Sequence, residues 1–341
     1  MSGPIRLLVC DDSETARCAI TRALPADIEV VGEATTGDEA VRLAGAAHPH
    51  VITMDVQMPG RSGIEATAAI MAQSPSRILV VCAVDQEREI DLSFRAIAAG
   101  ALELVAKPKG GGDLAAWGQR LAETVRLMSE VPVVTRKAHQ RVHNSVSPVG
   151  RIDIWGVVAS TGGPPALSHL LANLPADLPA PVLMVQHIAP GFAVGLCRYL
   201  SCSSRLAVVC AEDGRPALPG YAYLPPDGHD LLIDAEGVLR TPRNCGPHHP
   251  NGDRLLTALA DVYGPRAGGV VLTGMGEDGA RGLLAIRHAG GCALAQDAAS
   301  SIVFGMPQAA LRHGAVVANT PLVDIAPSML AASGLLSSAR R

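Results

Sequence analysis

What most constrains this chain is an alternation of short β-rich apolar stretches with helix-forming segments, run through twice. In the first run the apolar stretches are residues 5–10, 29–34, 51–55, 77–82 and 103–106. Helical segments fall near residues 14–24, 38–46, 63–73, 87–99 and 113–129. Connections of that length suit parallel strands, which need a crossover and cannot be joined by a hairpin. Five such units predict an open five-stranded parallel sheet with helices on both faces. After residue 151 the alternation resumes, with strands expected at 155–159, 182–186, 206–211, 270–272 and 293–296. Helices are expected near 166–173 and 192–201, a loop-rich stretch runs on to Pro226, and a short strand pair follows around 231–240. The prediction is a second, Rossmann-like α/β domain with a mainly parallel sheet.

The 21 residues from Glu130 to Gly150 (EVPVVTRKAHQRVHNSVSPVG) show no sustained period and carry two prolines, which reads as a solvated linker. Its basic residues Arg136, Lys137, His139, Arg141 and His143 fit that reading as well as docking on an acidic partner. The expected limits are therefore 4–126 for the first domain, 127–150 for the linker and 151–337 for the second. A length of 341 residues agrees with two domains, and 48% hydrophobic residues supply their cores. A net charge of −4 without a basic block argues against nucleic acid and anionic membrane surfaces. No apolar run reaches the ~20 residues that span a bilayer, which argues against membrane insertion. The first dozen residues lack the apolar region of a signal peptide. Eight cysteines without a C-x-x-C pair read as reduced, mostly buried thiols of a cytoplasmic protein.

Chemistry-bearing residues gather where these strands end, the edge at which open parallel sheets bind ligands. In the first domain Asp11 and Asp12 follow the first strand, Asp55 closes the third, and Lys107 follows the fifth and precedes Pro108. Converging carboxylates repel unless a hard cation such as Mg²⁺ lies among them, and a carboxylate beside Mg²⁺ and a lysine suits acceptance of a phosphoryl group. The bland alternative is a set of solvated loop acids and helix caps.

In the second domain the apolar run 155–159 stops at Ser160-Thr161-Gly162-Gly163-Pro164-Pro165. A serine there projects from a strand end beside the unpaired N–H groups of a helix start, which suits a nucleophile with an oxyanion site. No phosphate-loop pattern occurs there. His187 ends the next apolar run, and Asp278 lies in Thr273-Gly274-Met275-Gly276-Glu277-Asp278-Gly279. Were these strands neighbours, Ser160, His187 and Asp278 would supply nucleophile, base and orienting carboxylate. Each residue has a plainer reading: Ser160 or Thr161 as a helix cap, His187 as a structural histidine, Asp278 as a cap of its own helix. His248 and His249 have no metal-ligand partners at useful spacing.

Val9-Cys10-Asp11-Asp12-Ser13, Met54-Asp55-Val56-Gln57-Met58-Pro59-Gly60 and Lys107-Pro108 resemble the response-regulator receiver family. That resemblance implies a flavodoxin-like fold, phosphorylation at Asp55, Mg²⁺ held by Asp11, Asp12 and Asp55, and Lys107 contacting the phosphoryl group. The sequence departs where the family usually has a hydroxyl residue (Cys82 or Ala83) and an aromatic one (Leu104). Ala159–Pro164, Gln186–Phe192, Leu224–His229, Leu272–Ala280 and Phe304–Pro307 resemble the CheB methylesterase family.

The second resemblance implies hydrolysis of glutamate methyl esters, and deamidation of glutamines, on methyl-accepting chemotaxis proteins. It implies Ser160, His187 and Asp278 as the catalytic residues, with amides near Thr161 and Met275 at the oxyanion and no cofactor for the esterase step. A chemotaxis histidine kinase is the implied phosphodonor. Val158 stands where that family commonly has glycine, and Asn251-Gly252-Asp253 where Pro-Ser-Val-Asp is usual, a change expected to bear on substrate contacts. The other readings are a serine hydrolase acting on a different protein, and a regulator whose second domain only binds.

Overall fold

A computed structural model describes residues 3–84, 87–108, 113–131, 151–244 and 250–335. The chain divides into two compact units, Met1–Thr135 and Arg136–Arg341. Lys137, His139, Arg141, His143, His248 and His249 lie outside the described residues, as does Arg136.

The first unit alternates β1 (Ile5–Cys10), α1 (Glu14–Ala23), β2 (Ile28–Ala34), α2 (Gly37–Ala47), β3 (Val51–Met54), α3 (Gly63–Gln73), β4 (Arg77–Cys82), α4 (Glu87–Ala98), β5 (Glu103–Ala106) and α5 (Leu114–Glu130). Its five strands are parallel in the order β2-β1-β3-β4-β5, as expected. The central strands β3 and β4 are buried on both faces apart from Arg77 at one end, hence their continuous Val/Ile/Leu character. Helix starts are set by Ser13, Thr36, Ser62 and Asp113, whose side chains accept from the backbone three residues on. Gly63 opens α3 hard against the end of β3, where a β-carbon would fall 1.8 Å from the carbonyl oxygen of Asp55. The last helix continues to Glu130, and Met128 and Val131 are buried.

The second unit runs β6 (Ile154–Ala159), α6 (Gly163–Ala172), β7 (Val182–Gln186), α7 (Ala193–Ser201), β8 (Ala207–Cys210), β9 (Tyr221–Leu224), β10 (Leu232–Ile233), β11 (Leu239–Arg240), α8 (Gly252–Tyr263), β12 (Ala267–Val271), α9 (Ala280–His288), β13 (Cys292–Ala295), α10 (Met306–Arg312) and α11 (Leu322–Ala332). Six strands form one parallel sheet in the order β13-β12-β6-β7-β9-β8. An antiparallel pair, β10 and β11, stands apart.

Strand β9 lies inside the stretch expected to be loop. Its four residues sit between Pro219-Gly220 and Pro225-Pro226, so neither length nor flanks signal a strand, yet it pairs on both sides, with β7 and β8. The core packs β6, β7 and β12 against α8, α9 and α10. Trp155 is fully buried and donates its indole N–H to Ser333 Oγ at 2.9 Å. Among the thiols, Cys10, Cys82, Cys197 and Cys292 are buried as expected, but Cys18 and Cys202 are exposed.

Candidate active site

The sheet order makes β12, β6 and β7 neighbours, so the residues that follow them share one edge. After Ala159 the chain leaves the sheet in a tight turn. Ser160 N–H donates to the carbonyl of Thr273 (3.1 Å), and Gly163 N–H folds back to the carbonyl of Ser160 (2.7 Å). Gly162 has a φ of 74° and closes the turn beside Ile302, which a β-carbon would approach to 2.7 Å. Gly162 is itself the N-cap of α6, without a side-chain cap, so neither Ser160 nor Thr161 caps that helix. Ser160 is nearly buried, 9% exposed.

His187 follows β7 and donates its backbone N–H to the carbonyl of Ala159 at 3.0 Å. Its Nε2 lies 2.7 Å from Asp278 Oδ2. Gln186, which precedes it, had no expected role. Its buried side-chain amide donates to the carbonyl of Ser160 and to that of His187, each at 2.8 Å. One side chain thereby clamps both strand ends. The Gln186 amide reaches them because residue 163 is glycine: a β-carbon there would sit 1.9 Å from Gln186 Oε1.

Asp278 does not cap its own helix, since the N-cap of α9 is Gly279 and makes no side-chain bond. It caps a different one. Oδ2 accepts from Gly252 N–H (2.6 Å) and Oδ1 from Asp253 N–H (2.9 Å), both in the first turn of α8, whose positive end favours a carboxylate. Burial pushes the Asp278 carboxyl up, but the bond and charge of His187 and these two amides outweigh it and hold the group below its ordinary 3.8. The first turn of α8 is anchored in turn by Asp230, fully buried, which accepts from Asn251 N–H at 2.9 Å and pairs with Arg254 and Asn244. Residues 251–253, expected to bear on substrate contacts, thus hold the carboxylate.

Two amide N–H groups flank the serine. Among the described residues those of Thr161 and Met275 donate to no protein acceptor. Both are positioned from behind, through the carbonyl of their own peptide plane: that of Ser160 accepts from Gly163 N–H (2.7 Å) and the Gln186 amide (2.8 Å), while Gly305 and Met306 N–H fix the carbonyl of Gly274 (3.1 and 2.9 Å). Gly274 presses on the Ser160 turn, where a β-carbon would lie 2.7 Å from Ser160 Cβ. Such a pair of N–H groups beside a hydroxyl, a histidine and a charged carboxylate can carry out acyl transfer.

In the first unit Asp11, Asp12 and Asp55 also meet, offering carboxylate oxygens within 4.8 Å of one another. Lys107 Nζ stands 2.9 Å from Asp11 Oδ2 and 3.0 Å from Asp55 Oδ1. Asp11 Oδ2 is sealed from solvent and accepts no aligned hydrogen bond, its one neighbour of opposite charge being the Lys107 ammonium. Burial pushes Asp55 up to about 6; Lys107 opposes this and the charge of Asp11 adds to it. Burial works against the Lys107 ammonium, but Asp55 and Asp11 keep it above its ordinary value. The three oxygen donors fit Mg²⁺, a hard ion that favours carboxylates. Trp117 on α5 holds the end of β5 by donating to the carbonyl of Ala106 at 2.8 Å. Cys82 is buried at the end of β4, its thiol pushed up to about 11 chiefly by burial, and Leu104 is buried on β5.

Comparison with known proteins bears on both units. The CheB methylesterase family profile matches residues 155–329, and the response regulator receiver domain profile matches residues 7–117. The chain belongs to the CheB methylesterase family. It is a response regulator joined to a methylesterase domain, and a receiver domain implies phosphorylation that is typically Mg²⁺-dependent. A Myxococcus xanthus protein-glutamate methylesterase/protein-glutamine glutaminase is 52% identical over 94% of this chain and 92% of its own length. One from Anaeromyxobacter dehalogenans is 44% identical over 94% of this chain and 97% of its own. The crystal structure of the Thermotoga maritima CheB methylesterase catalytic domain is 33% identical, with a TM-score of 0.51, covering 52% of this chain and 97% of that one. Among the described residues, no helix is long and apolar enough to cross a membrane.

Proposed function

We propose that this chain is a cytoplasmic protein-glutamate methylesterase and protein-glutamine glutaminase acting on methyl-accepting chemotaxis proteins, switched on when a chemotaxis histidine kinase supplies a phosphoryl group to Asp55. The proposed domain limits are 4–126 and 151–337, joined by residues 127–150, with α5 carrying the first unit on to Glu130. The observation that carries the catalytic reading is the 2.7 Å bond from His187 to the charged, α8-capped Asp278, on strand ends flanking the Ser160 turn.

Ser160 Oγ attacks the carbonyl of a glutamate γ-methyl ester, forming the Oγ–C bond. Because Asp278 engages Nε2 of His187, the serine proton passes to Nδ1. Asp278 fixes that tautomer and stabilises the imidazolium. The N–H groups of Thr161 and Met275 receive the oxyanion, a contribution of roughly 3–4 kcal/mol in comparable sites. Collapse breaks the C–O bond, and methanol leaves with the proton held by His187. Water then attacks the acyl-enzyme, giving a proton to His187 and releasing the free glutamate as Ser160 is restored. A glutamine side chain follows the same path with ammonia leaving. Every step uses protein groups and water. Gln186 is a positioning residue in this scheme.

In the receiver, Asp11, Asp12 and Asp55 would hold Mg²⁺, which supplies positive charge to the incoming phosphoryl group. Lys107, 3.0 Å from Asp55, supports the same charge.

The deciding experiment is methanol release from a methylated chemoreceptor. Ser160→Ala is expected to abolish it while leaving the fold intact by circular dichroism; retention of the wild-type rate would overturn the assignment. Parallel assays on unrelated methyl-esterified proteins test the substrate class.

A further inference from the structure

One pair of thiols takes no part in either site. Cys197 lies midway along α7, and Cys210 closes β8, the edge strand of the six-stranded sheet. Their sulfurs are 3.3 Å apart. Cys197 is 7% exposed and Cys210 is half-buried, so a small solute reaches the pair from the Cys210 side. The two elements are held in register by Ser201, whose hydroxyl donates to the carbonyl of Cys197 at 2.8 Å and also reaches that of Val208 on β8 at 3.5 Å. Thiols held at this separation need move only ~1.2 Å to reach the S–S bond length of about 2.05 Å.

We propose that Cys197 and Cys210 form a reversible dithiol–disulfide site, closed by a hydroperoxide and reopened by a low-molecular-weight thiol. The order of events follows from exposure. The two sulfurs share a contact in which either can donate, but Cys197 is 7% exposed while Cys210 is half-buried. Cys210 is therefore the thiol a peroxide meets first, attacking as its thiolate, and Cys197 the resolving thiol.

The Cys210 sulfur attacks one peroxide oxygen. An S–O bond forms, the O–O bond breaks, and hydroxide leaves to become water by taking a proton from solvent. The product is a sulfenic acid on Cys210. The Cys197 sulfur then attacks the Cys210 sulfur, the S–S bond forms and the S–O bond breaks, and the departing hydroxide takes the Cys197 proton as water. Two thiols lose two electrons, and one hydrogen peroxide becomes two waters. The product ties α7, which follows the His187 loop, to the edge of the sheet. Ala193 and Leu196 of that helix line a cavity of about 240 Å³ together with Gln186 and Ile188, so the tie is made behind one wall of a pocket that opens beside the catalytic strand ends.

The test uses the reduced full-length chain and hydrogen peroxide as the probe. The protein is oxidised with stoichiometric peroxide, quenched by N-ethylmaleimide in denaturant, digested without reductant and mapped by mass spectrometry. The expected result is an intramolecular Cys197–Cys210 linked peptide as the main oxidation product of the monomer, lost on treatment with dithiothreitol. With Cys197→Ser, dimedone is expected to trap a sulfenic acid at Cys210. The proposal fails if Cys197 and Cys210 are recovered as maleimide adducts while exposed Cys18 or Cys202 carries the oxidation. It fails equally if the wild-type chain stops at the Cys210 sulfenic acid. Because the mapping is done on the wild type, a poorly folding variant cannot obscure the outcome.

Discussion

A β-carbon at residue 252 would sit 2.3 Å from Val158 Cγ1 and 3.1 Å from Asp278 Oδ2, so Val158 and Gly252 share one space beside the Asp278 carboxylate. Each is a departure from the family pattern, glycine being common at the first position and the valine of Pro-Ser-Val-Asp falling at the second. In this chain they are one exchange of size across a contact. Gly252→Val alone is expected to overpack the site, costing ~1–3 kcal/mol and pushing the Gly252 N–H away from Asp278. Val158→Gly alone leaves a void and adds backbone freedom in a strand. The double variant should recover most of both losses in denaturant midpoint and in methanol release. Additive losses would show that the two positions are independent.

Neither departure could be paired from sequence, because 94 positions separate them and only the fold brings them together. The same holds for Gln186. Ser160, His187 and Asp278 were legible as polar residues stopping apolar strands, whereas the Gln186 amide is defined by two carbonyls it meets after folding. Gln186→Leu removes both donors and leaves buried carbonyls short of partners, about 1–3 kcal/mol each at most. Its expected signature is a kcat lowered by on the order of tenfold or more with KM nearly unchanged, and partial rescue by Gln186→Asn. A change confined to thermal stability would make it a structural residue only.

At the level of elements, the strands and helices were readable wherever an apolar period ran long enough. The exceptions are β9, which exists because β7 and β8 flank it, and the helices α8 to α11, for which the sequence set no bounds. The start of α8 is a case in point. Asn251 is a recognisable cap, but that its following amides serve Asp278, 25 and 26 residues on, is a tertiary fact. This link gives acid stability a defined sign. Asp278 is held below its ordinary 3.8 when folded, so the unfolded chain binds its proton more readily. The stabilisation is complete above that ordinary value and is lost as pH falls through the lowered one. Acid-unfolding curves followed by circular dichroism should therefore show a loss below about pH 4 in the wild type that Asp278→Asn lacks. The same variant should lower kcat at neutral pH by on the order of 10³–10⁴, because an amide can hold the wrong histidine tautomer. Superimposable acid curves would mean that the α8 amides do not stabilise the carboxylate.

For the molecule as a whole, the two-domain α/β plan followed from alternation, and the charged strand ends pointed to both candidate sites. The coupling between domains is not a matter of pattern, since it depends on a difference in free energy between phosphorylated and unphosphorylated chains. Moving a population from mostly inactive to mostly active needs about 3–5 kcal/mol of differential stabilisation, within what one phosphoryl group, Mg²⁺ and a lysine can supply. With an acyl phosphate and Mg²⁺ present, the wild type should release methanol faster, by roughly tenfold or more. Asp55→Asn should keep the basal rate without the increase, as should the wild type after chelation of Mg²⁺. Lys107→Met should accept the phosphoryl group yet respond weakly, since the ammonium 3.0 Å from Asp55 is the group that would read the new charge. The replacement of the usual hydroxyl and aromatic residues by Cys82 or Ala83 and Leu104 sharpens that test. With those side chains gone, the lysine is expected to carry a large share of the response. A Lys107→Met chain activated as fully as wild type would place the reading of phosphorylation on other residues.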